Sequence, residues 1–371
     1  MSQLHAYQKP LRGKTVGVVF GSFAPLHQGH LDLIMRAKKE NEAGCIVIVC
    51  GYEGDKGEPL MPHRKRYRYV REFFAKDDLV AVYSINDTEL GIEHYPDGWQ
   101  PWLNEFWRIY DKAVDKTNQP DAVWYVGDRY YADDLERRGE TAILVDRKAD
   151  NPICATMIRK NPIKHWQQIT FPFRRVFSHN ILICGTASEG KTTLVQDLGK
   201  YFNAPYSCEW ARGYMEEGCV SDWELDGADY MSFLEGQYTL NKTLINSPAN
   251  QGVFFADTDS MVTRMYAEYY AHDEDCALTR EEFEKIAVVA DELTRKSRWD
   301  KIFLLPPHGV FVDDNARFMK HEGMKERTEL YALLMENIKR SGNWDKVTIL
   351  DQGYYQNFKT VVEYVREVMN R

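Results

Sequence analysis

Twice along its 371 residues the sequence alternates short, unbroken apolar runs with longer stretches of helical period. In the first half the runs are Thr15–Phe20, Cys45–Gly51, Val80–Asn86, Ala122–Gly127 and Thr141–Asp146, with helical segments at His30–Glu40, Pro62–Phe74 and Pro101–Lys116 between them. Runs that are apolar throughout, rather than at every second position, belong to parallel strands covered by helices on both faces, so the reading is α/β. After Asn161 the stretch PIKHWQQITFPFRRVFSHN has no clear period and reads as a connector, about residues 161–179. A second series follows, with strands at Ile181–Gly185, Tyr206–Glu209, Val253–Asp257, Lys301–Leu305 and Val347–Leu350. Helices are expected at about Lys191–Phe202, Ala228–Ile245, Ser260–Ala271, Arg280–Arg298, Lys325–Ser341 and Phe358–Met369. At roughly 150 residues per domain the length also calls for two. The expected domains are 1–170 and 171–371.

Several classes of function are excluded early. No apolar run approaches the ~18 residues that span a bilayer, and the opening MSQLHAYQKPLRGKTV lacks the apolar stretch of a signal peptide. The seven cysteines are odd in number and form no CxxC pair, which suits reduced thiols in a cytoplasm. A net charge of −9 argues against binding nucleic acid by bulk electrostatics, so any phosphate must be held locally.

The first such place follows Thr15–Phe20. Gly21, Ser22, Phe23, Ala24, Pro25, Leu26, His27, Gln28, Gly29 and His30 lead into a helix. Glycines let backbone approach a phosphate closely, a helix N-terminus favours anions, and two imidazoles three residues apart add donors. A nucleoside triphosphate suits this arrangement; the alternative is a turn with two solvated histidines. Farther on, Tyr95, Trp99, Trp102 and Trp107 crowd one region, and Gly127, Asp128 and Arg129 follow a strand end. Those aromatic faces either stack a flat cationic ring or belong to the core.

The second place is Gly185, Thr186, Ala187, Ser188, Glu189, Gly190, Lys191, Thr192 and Thr193, a GxxxxGK[ST] loop between a strand and a helix. Its backbone N–H groups would cradle phosphates, Lys191 would reach the β- and γ-oxygens, and Thr192 would ligate Mg²⁺. Val253–Asp257 delivers Asp257 and, two residues on, Asp259, one of which is expected to serve the metal. Glu209 could deprotonate a ribose hydroxyl, with Trp210 stacking a base and Arg212 beside it, or form a surface ion pair with Arg212. After Lys301–Leu305, a polar segment holding Asp313, Asp314, Asn315 and Arg317, with Arg327 beyond, reads as a kinase lid whose arginine meets transferred phosphate.

The run GSFAPLHQGH resembles the GxFxPxHxGH signature of the nucleotidylyltransferase superfamily at all six fixed positions. That superfamily also carries ISxTxxR, matched here by Ile153, Cys154, Ala155, Thr156, Met157, Ile158 and Arg159, with Cys154 where the serine stands. The likeness implies that His27 and His30 stabilise charge at the α-phosphorus while Thr156 and Arg159 grip the β- and γ-phosphates. Both motifs in this order, with TMIRKNP, EWAR and ADTD, resemble the NadR family of bifunctional nicotinamide-mononucleotide adenylyltransferases and ribosylnicotinamide kinases, from about residue 14 onward.

What this resemblance implies is a Rossmann-like nucleotidylyltransferase fold followed by a P-loop kinase fold. It also implies NAD biosynthesis by salvage, ATP as co-substrate, Mg²⁺ as cofactor, and nicotinamide riboside, nicotinamide mononucleotide (NMN) and NAD as further ligands. A homo-oligomer and functional coupling to a riboside transporter are expected as well. Some members carry an N-terminal helix-turn-helix. Only about a dozen residues precede the first strand here, so direct DNA binding is not expected. Two alternatives stay open: the same chemistries on another acceptor, or an NAD sensor with one weak domain, motivated by Cys154.

Overall fold

The computed structural model describes residues 8–52, 54, 57–145, 152–308 and 324–370. The chain divides into two compact units, 1–177 and 178–371.

The first unit runs β1 (Thr15–Gly21), α1 (Gln28–Glu40), β2 (Cys45–Gly51), α2 (His63–Phe73), β3 (Val80–Asn86), α3 (Asp87–Leu90), α4 (Trp99–Ala113), β4 (Asp121–Val126), α5 (Arg129–Arg137), β5 (Thr141–Leu144), α6 (Ala155–Lys160) and α7 (Phe171–Phe177). Its five strands are parallel in the order β3-β2-β1-β4-β5. Val19, Val47 and Val49 pack with Leu33, Ile34 and Ala37 of α1 on one face. Val16, Val18, Ile46 and Ile48 pack with Trp102, Phe106 and Ile109 of α4 on the other. Burial on both faces is why these runs read as unbroken hydrophobes.

The stretch read as a connector is ordered. After a short 3₁₀ turn at Trp166–Gln168, α7 buries Phe173 in the first core, its ring edge-on to Tyr69 at 5.3 Å. Arg175 pairs with Glu72 and covers the Tyr69 ring at 4.6 Å. Seven residues make only two turns, too few for a period to show in the sequence.

The second unit runs β6 (His179–Gly185), α8 (Lys191–Phe202), β7 (Tyr206–Ser207), α9 (Trp210–Gly218), α10 (Gly227–Ile245), β8 (Val253–Ala256), α11 (Ser260–Tyr270), α12 (Arg280–Lys296), β9 (Lys301–Leu305), α13 (Met324–Arg340), β10 (Val347–Ile349) and α14 (Tyr354–Met369). Its parallel order is β10-β9-β6-β8-β7. Beside the two sheet-facing cores lies a third made of helices: Tyr230, Phe233 and Leu234 of α10, Ala267 and Tyr270 of α11, and Ile286 and Ala290 of α12. Capping boxes start two of these helices, Asp226 with Asp229 on α10 and Thr279 with Glu282 on α12. Among the described residues no helix is long and apolar enough to cross a membrane. All seven cysteines are free thiols.

Candidate active sites

In each sheet the strand order reverses beside a central strand, and a loop leaves that strand's carboxyl end there, the place where open α/β sheets bind ligands. In the first unit it is the loop between β1 and α1. Phe23 takes a left-handed backbone at φ 47° and, with Ala24 and Leu26, buries its side chain, so the loop is seated in the core. His27 stands at the N-cap of α1 and is buried, with its ring centroid 3.8 Å from that of His30; Phe23 meets His30 edge-on at 5.0 Å. The two imidazoles thus form one packed unit over the helix N-terminus rather than a solvated pair.

The second motif arrives at the same loop. Arg159 on α6 donates to the Ala24 carbonyl, and its other Nη donates to Thr156 Oγ1 at 3.2 Å. Cys154 is the exposed N-cap of α6 and makes no side-chain cap bond. A third segment also holds the loop: Thr170 donates from its backbone N–H and its hydroxyl to the Leu26 carbonyl at 3.2 and 2.9 Å, and His27 forms a β-bridge with Ile169.

Beside this loop is a cavity of about 380 Å³, lined by Gly21, Ser22, Tyr95, Trp99, Trp102, Gly127 and Asp128 from the expected set. Trp102 serves the core as well, lying between Trp99 (5.1 Å) and Phe106 (6.1 Å). Trp107 packs on Phe106 and Trp124 and is not among the cavity walls. Nor is Arg129, which is exposed and reaches along α5 to Asp133 at 4.0 Å. Tyr52, Asp87, His94, Tyr130 and Tyr131 were missed by sequence reasoning and do line the cavity. Asp87 follows β3 directly, and burial pushes its carboxyl up to about 7. A search for polar residues just past each strand's carboxyl end would have found it.

The P-loop of the second unit runs from Gly185 to Gly190, with left-handed backbone at Ser188 (φ 61°) and Gly190 (φ 74°). Gly190 turns the chain into α8, whose first residue is the buried Lys191; its Nζ donates to the Thr186 carbonyl at 2.6 Å. Thr192 Oγ1 donates to the Asp257 carboxylate, and Thr193 is exposed on the same first turn. Asp259 is turned elsewhere: it caps α11 through Met261 N–H at 3.0 Å and accepts Trp299 Nε1 at 2.8 Å. Of the two acids, Asp257 therefore faces the loop. Glu189 is fully buried and is held by Arg327 and by His308, whose Nδ1 lies 3.0 Å away. Arg327, read as part of a lid, thus packs against the P-loop. Asp313, Asp314, Asn315 and Arg317 lie outside the described residues.

A mostly apolar cavity that reaches Thr258, next in sequence to Asp257, is walled by Glu209, Ala211, Met215, Asp222, Tyr230, Phe233, Gln237, Thr258, Val262, Tyr266 and Tyr270, among others. Glu209 is there as expected, at the N-cap of α9. Trp210 and Arg212 are not. The Trp210 indole packs over Gly236, where a Cβ would sit 2.4 Å from it, and the Trp210 backbone N–H donates to Gln237 Oε1 at 2.7 Å. Arg212 is exposed. Each helical residue advances about 100°, so Ala211 and Met215, four apart, take the cavity face and their neighbours turn away. Asp222, missed in the sequence, is 5% exposed and accepts the Tyr270 hydroxyl at 2.7 Å.

These features define a class: a nucleotidyltransferase-type unit with paired histidines, followed by a P-loop unit with a small aromatic-walled cavity of about 50 Å³ among its helices. A family model described as cytidylyltransferase-like matches residues 18–164, and one described as an AAA domain matches residues 180–357. A solved structure of NadR protein in complex with NR is 34% identical, covers 98% of each chain and superposes with a TM-score of 0.84. Another, in complex with NAD and AMP-PNP, is 36% identical with the same coverage and a TM-score of 0.83. The trifunctional NAD biosynthesis/regulator protein NadR of Escherichia coli (strain K12) is 28% identical over 373 residues, 97% of this chain and 85% of that protein. The chain belongs to the NadR family.

Proposed function

We propose that this chain converts nicotinamide riboside to NAD in two ATP-using steps, one in each unit. The observation that carries the reading is that each unit has its own phosphate loop and its own aromatic-walled cavity. It is supported by relatives solved with NR and with NAD and AMP-PNP.

In the second unit the riboside's 5′-hydroxyl oxygen bonds to the γ-phosphorus of ATP as the bond to the β,γ-bridging oxygen breaks, releasing ADP. Glu209, in the cavity wall, takes the hydroxyl proton. Lys191, at the head of α8, meets the β- and γ-oxygens, joined by backbone N–H groups of the loop from Gly185 through Ser188 to Gly190. Mg²⁺ fits the Thr192 hydroxyl and the Asp257 carboxylate, two hard oxygen donors already drawn together. Among the described residues no group of three or more His, Cys, Asp or Glu could hold a metal ion by itself. When bound, it supplies charge neutralisation on the transferred phosphoryl group.

In the first unit a phosphate oxygen of NMN attacks the α-phosphorus of a second ATP and pyrophosphate leaves. His27 and His30 donate to the charge that develops at the α-phosphate. Arg159 and Thr156 hold the departing β- and γ-phosphates, with Gly21–Ala24 as backbone. Trp99, Tyr95 and Trp102 receive the nicotinamide ring. No covalent enzyme intermediate forms, so positioning carries the rate.

Purified protein given nicotinamide riboside, ATP and Mg²⁺ should yield NMN and then NAD. Given NMN instead, it should release pyrophosphate. Failure to form either product refutes the proposal.

A further inference from the structure

The cavity of the second unit has an unusual mixture of walls. Tyr230, Phe233, Tyr266 and Tyr270 present aromatic surface, while among the described residues the only charged groups lining it are two carboxylates, Glu209 and Asp222. The two acids come from different segments, Glu209 at the start of α9 and Asp222 beyond its end. Glu209 follows β7 closely, and Thr258 adjoins Asp257, which accepts the Thr192 hydroxyl. Val262, Tyr266 and Tyr270 then form a stripe four residues apart along α11, ending at Asp222, which accepts the Tyr270 hydroxyl at 2.7 Å. From Val262 to Tyr270 a helix rises about 12 Å, so the wall these residues form leads from the Thr258 side to Asp222.

Burial first, and then the neighbouring Asp222 charge, holds the Tyr270 hydroxyl protonated far above the usual phenol range, and Tyr230 likewise. The far end is therefore a set of neutral phenols around one buried carboxylate. Such a pocket is costly for a carboxylate facing a neutral base and favourable for one facing a cation, whose charge also meets the ring faces.

We infer that Asp222 makes this cavity select a cationic N-ribosyl pyridinium over an uncharged nucleoside of the same shape. The inference rests on the reading that the second unit phosphorylates nicotinamide riboside, and it names the residue that sets the substrate class. Glu209 works on the ribose hydroxyl, and Asp222 reads the charge of the ring.

The test compares nicotinamide riboside with its 1,4-dihydro form, which keeps the carboxamide and the ribose but carries no ring charge. The unaltered protein should favour the oxidised riboside by about tenfold or more in kcat/KM, the effect of a desolvated charge partner. In Asp222→Asn the amide oxygen still accepts the Tyr270 hydroxyl and only the charge is lost, so the preference should collapse toward unity, mainly through KM for the oxidised form. Tyr270→Phe keeps the charge and should keep the preference, which separates charge from packing. An unchanged preference in a folded Asp222→Asn protein overturns the inference while leaving the kinase reading intact. Equal use of both ribosides by the unaltered protein overturns it without any variant. If the unaltered protein phosphorylates neither riboside, the reading beneath it fails too.

Discussion

The loop after β1 and the loop after β6 follow the same backbone plan. Each leaves the carboxyl end of a central parallel strand and turns into a helix N-terminus, so each has the same sequence-independent affinity for anions. They differ in what stands on the first turn. The first carries two imidazoles in ring contact at 3.8 Å, while the second carries an ammonium folded back on a loop carbonyl at 2.6 Å, with a hydroxyl joined to an acid beside it. A compact ammonium donor suits the crowded β- and γ-oxygens of phosphoryl transfer, whereas oriented imidazole donors suit one developing charge at the α-phosphorus. On the proposed reading the fold supplies the anion site, and two or three side chains choose which phosphorus reacts.

The hardest test of that contrast is Lys191→Ala. Riboside phosphorylation should fall about a thousandfold or more while NAD formation from supplied NMN stays within a factor of two, measured as ADP and pyrophosphate release respectively. His30→Ala should do the converse, lowering adenylyl transfer about a hundredfold and sparing the kinase step. If either variant silences both reactions, the loops are not independent and the comparison breaks.

A smaller effect concerns the two acceptor cavities. Burial holds the Asp87 carboxyl up at about 7, so it is neutral below that pH and charged above it. Because the nicotinamide ring of NMN is a cation, KM for NMN should fall severalfold as pH rises from about 6 to 8. Glu93, His94 and Asp128 share that wall. The trend should flatten in Asp87→Asn, and a slope that survives the substitution removes Asp87 as its source. The smallest effect is expected at Cys154→Ser. A hydroxyl at this exposed, uncapped N-cap should stabilise the first unit by ~1 kcal/mol in chemical denaturation and lower KM for ATP two- to threefold. A weaker or unchanged ATP affinity would separate this position from triphosphate binding.

Much of this was legible in the sequence. β2, β3, β9 and α8 coincide with the runs read from it, because strands buried on both faces and a helix set by GKT carry strong local signals. Both phosphate loops were legible for the same reason: their chemistry lies within ten consecutive residues. The acceptor cavities were only partly so. Asp87, Tyr52 and Tyr131 reach one cavity from the ends of different strands, and Asp222 meets Tyr270 across 48 positions. Trp210 and Arg212 looked like substrate contacts because they adjoin Glu209, but adjacency along a helix turns side chains apart. The nine-residue α5 and the seven-residue α7 are too short to show a period.

The bonds from Thr170 to Leu26 and the bridge between Ile169 and His27 give this chain a seam that its motifs do not mark. Both adenylyltransferase signatures are finished by Arg159, yet the strap that seats the histidine loop, and the helix that anchors the strap under α2, extend to Phe177. Modules as catalysis writes them and modules as folding cuts them are therefore offset by about eighteen residues. Any recombination that exchanged the kinase, whether in evolution or at the bench, would preserve the remaining unit's histidine loop only by leaving those residues behind with it.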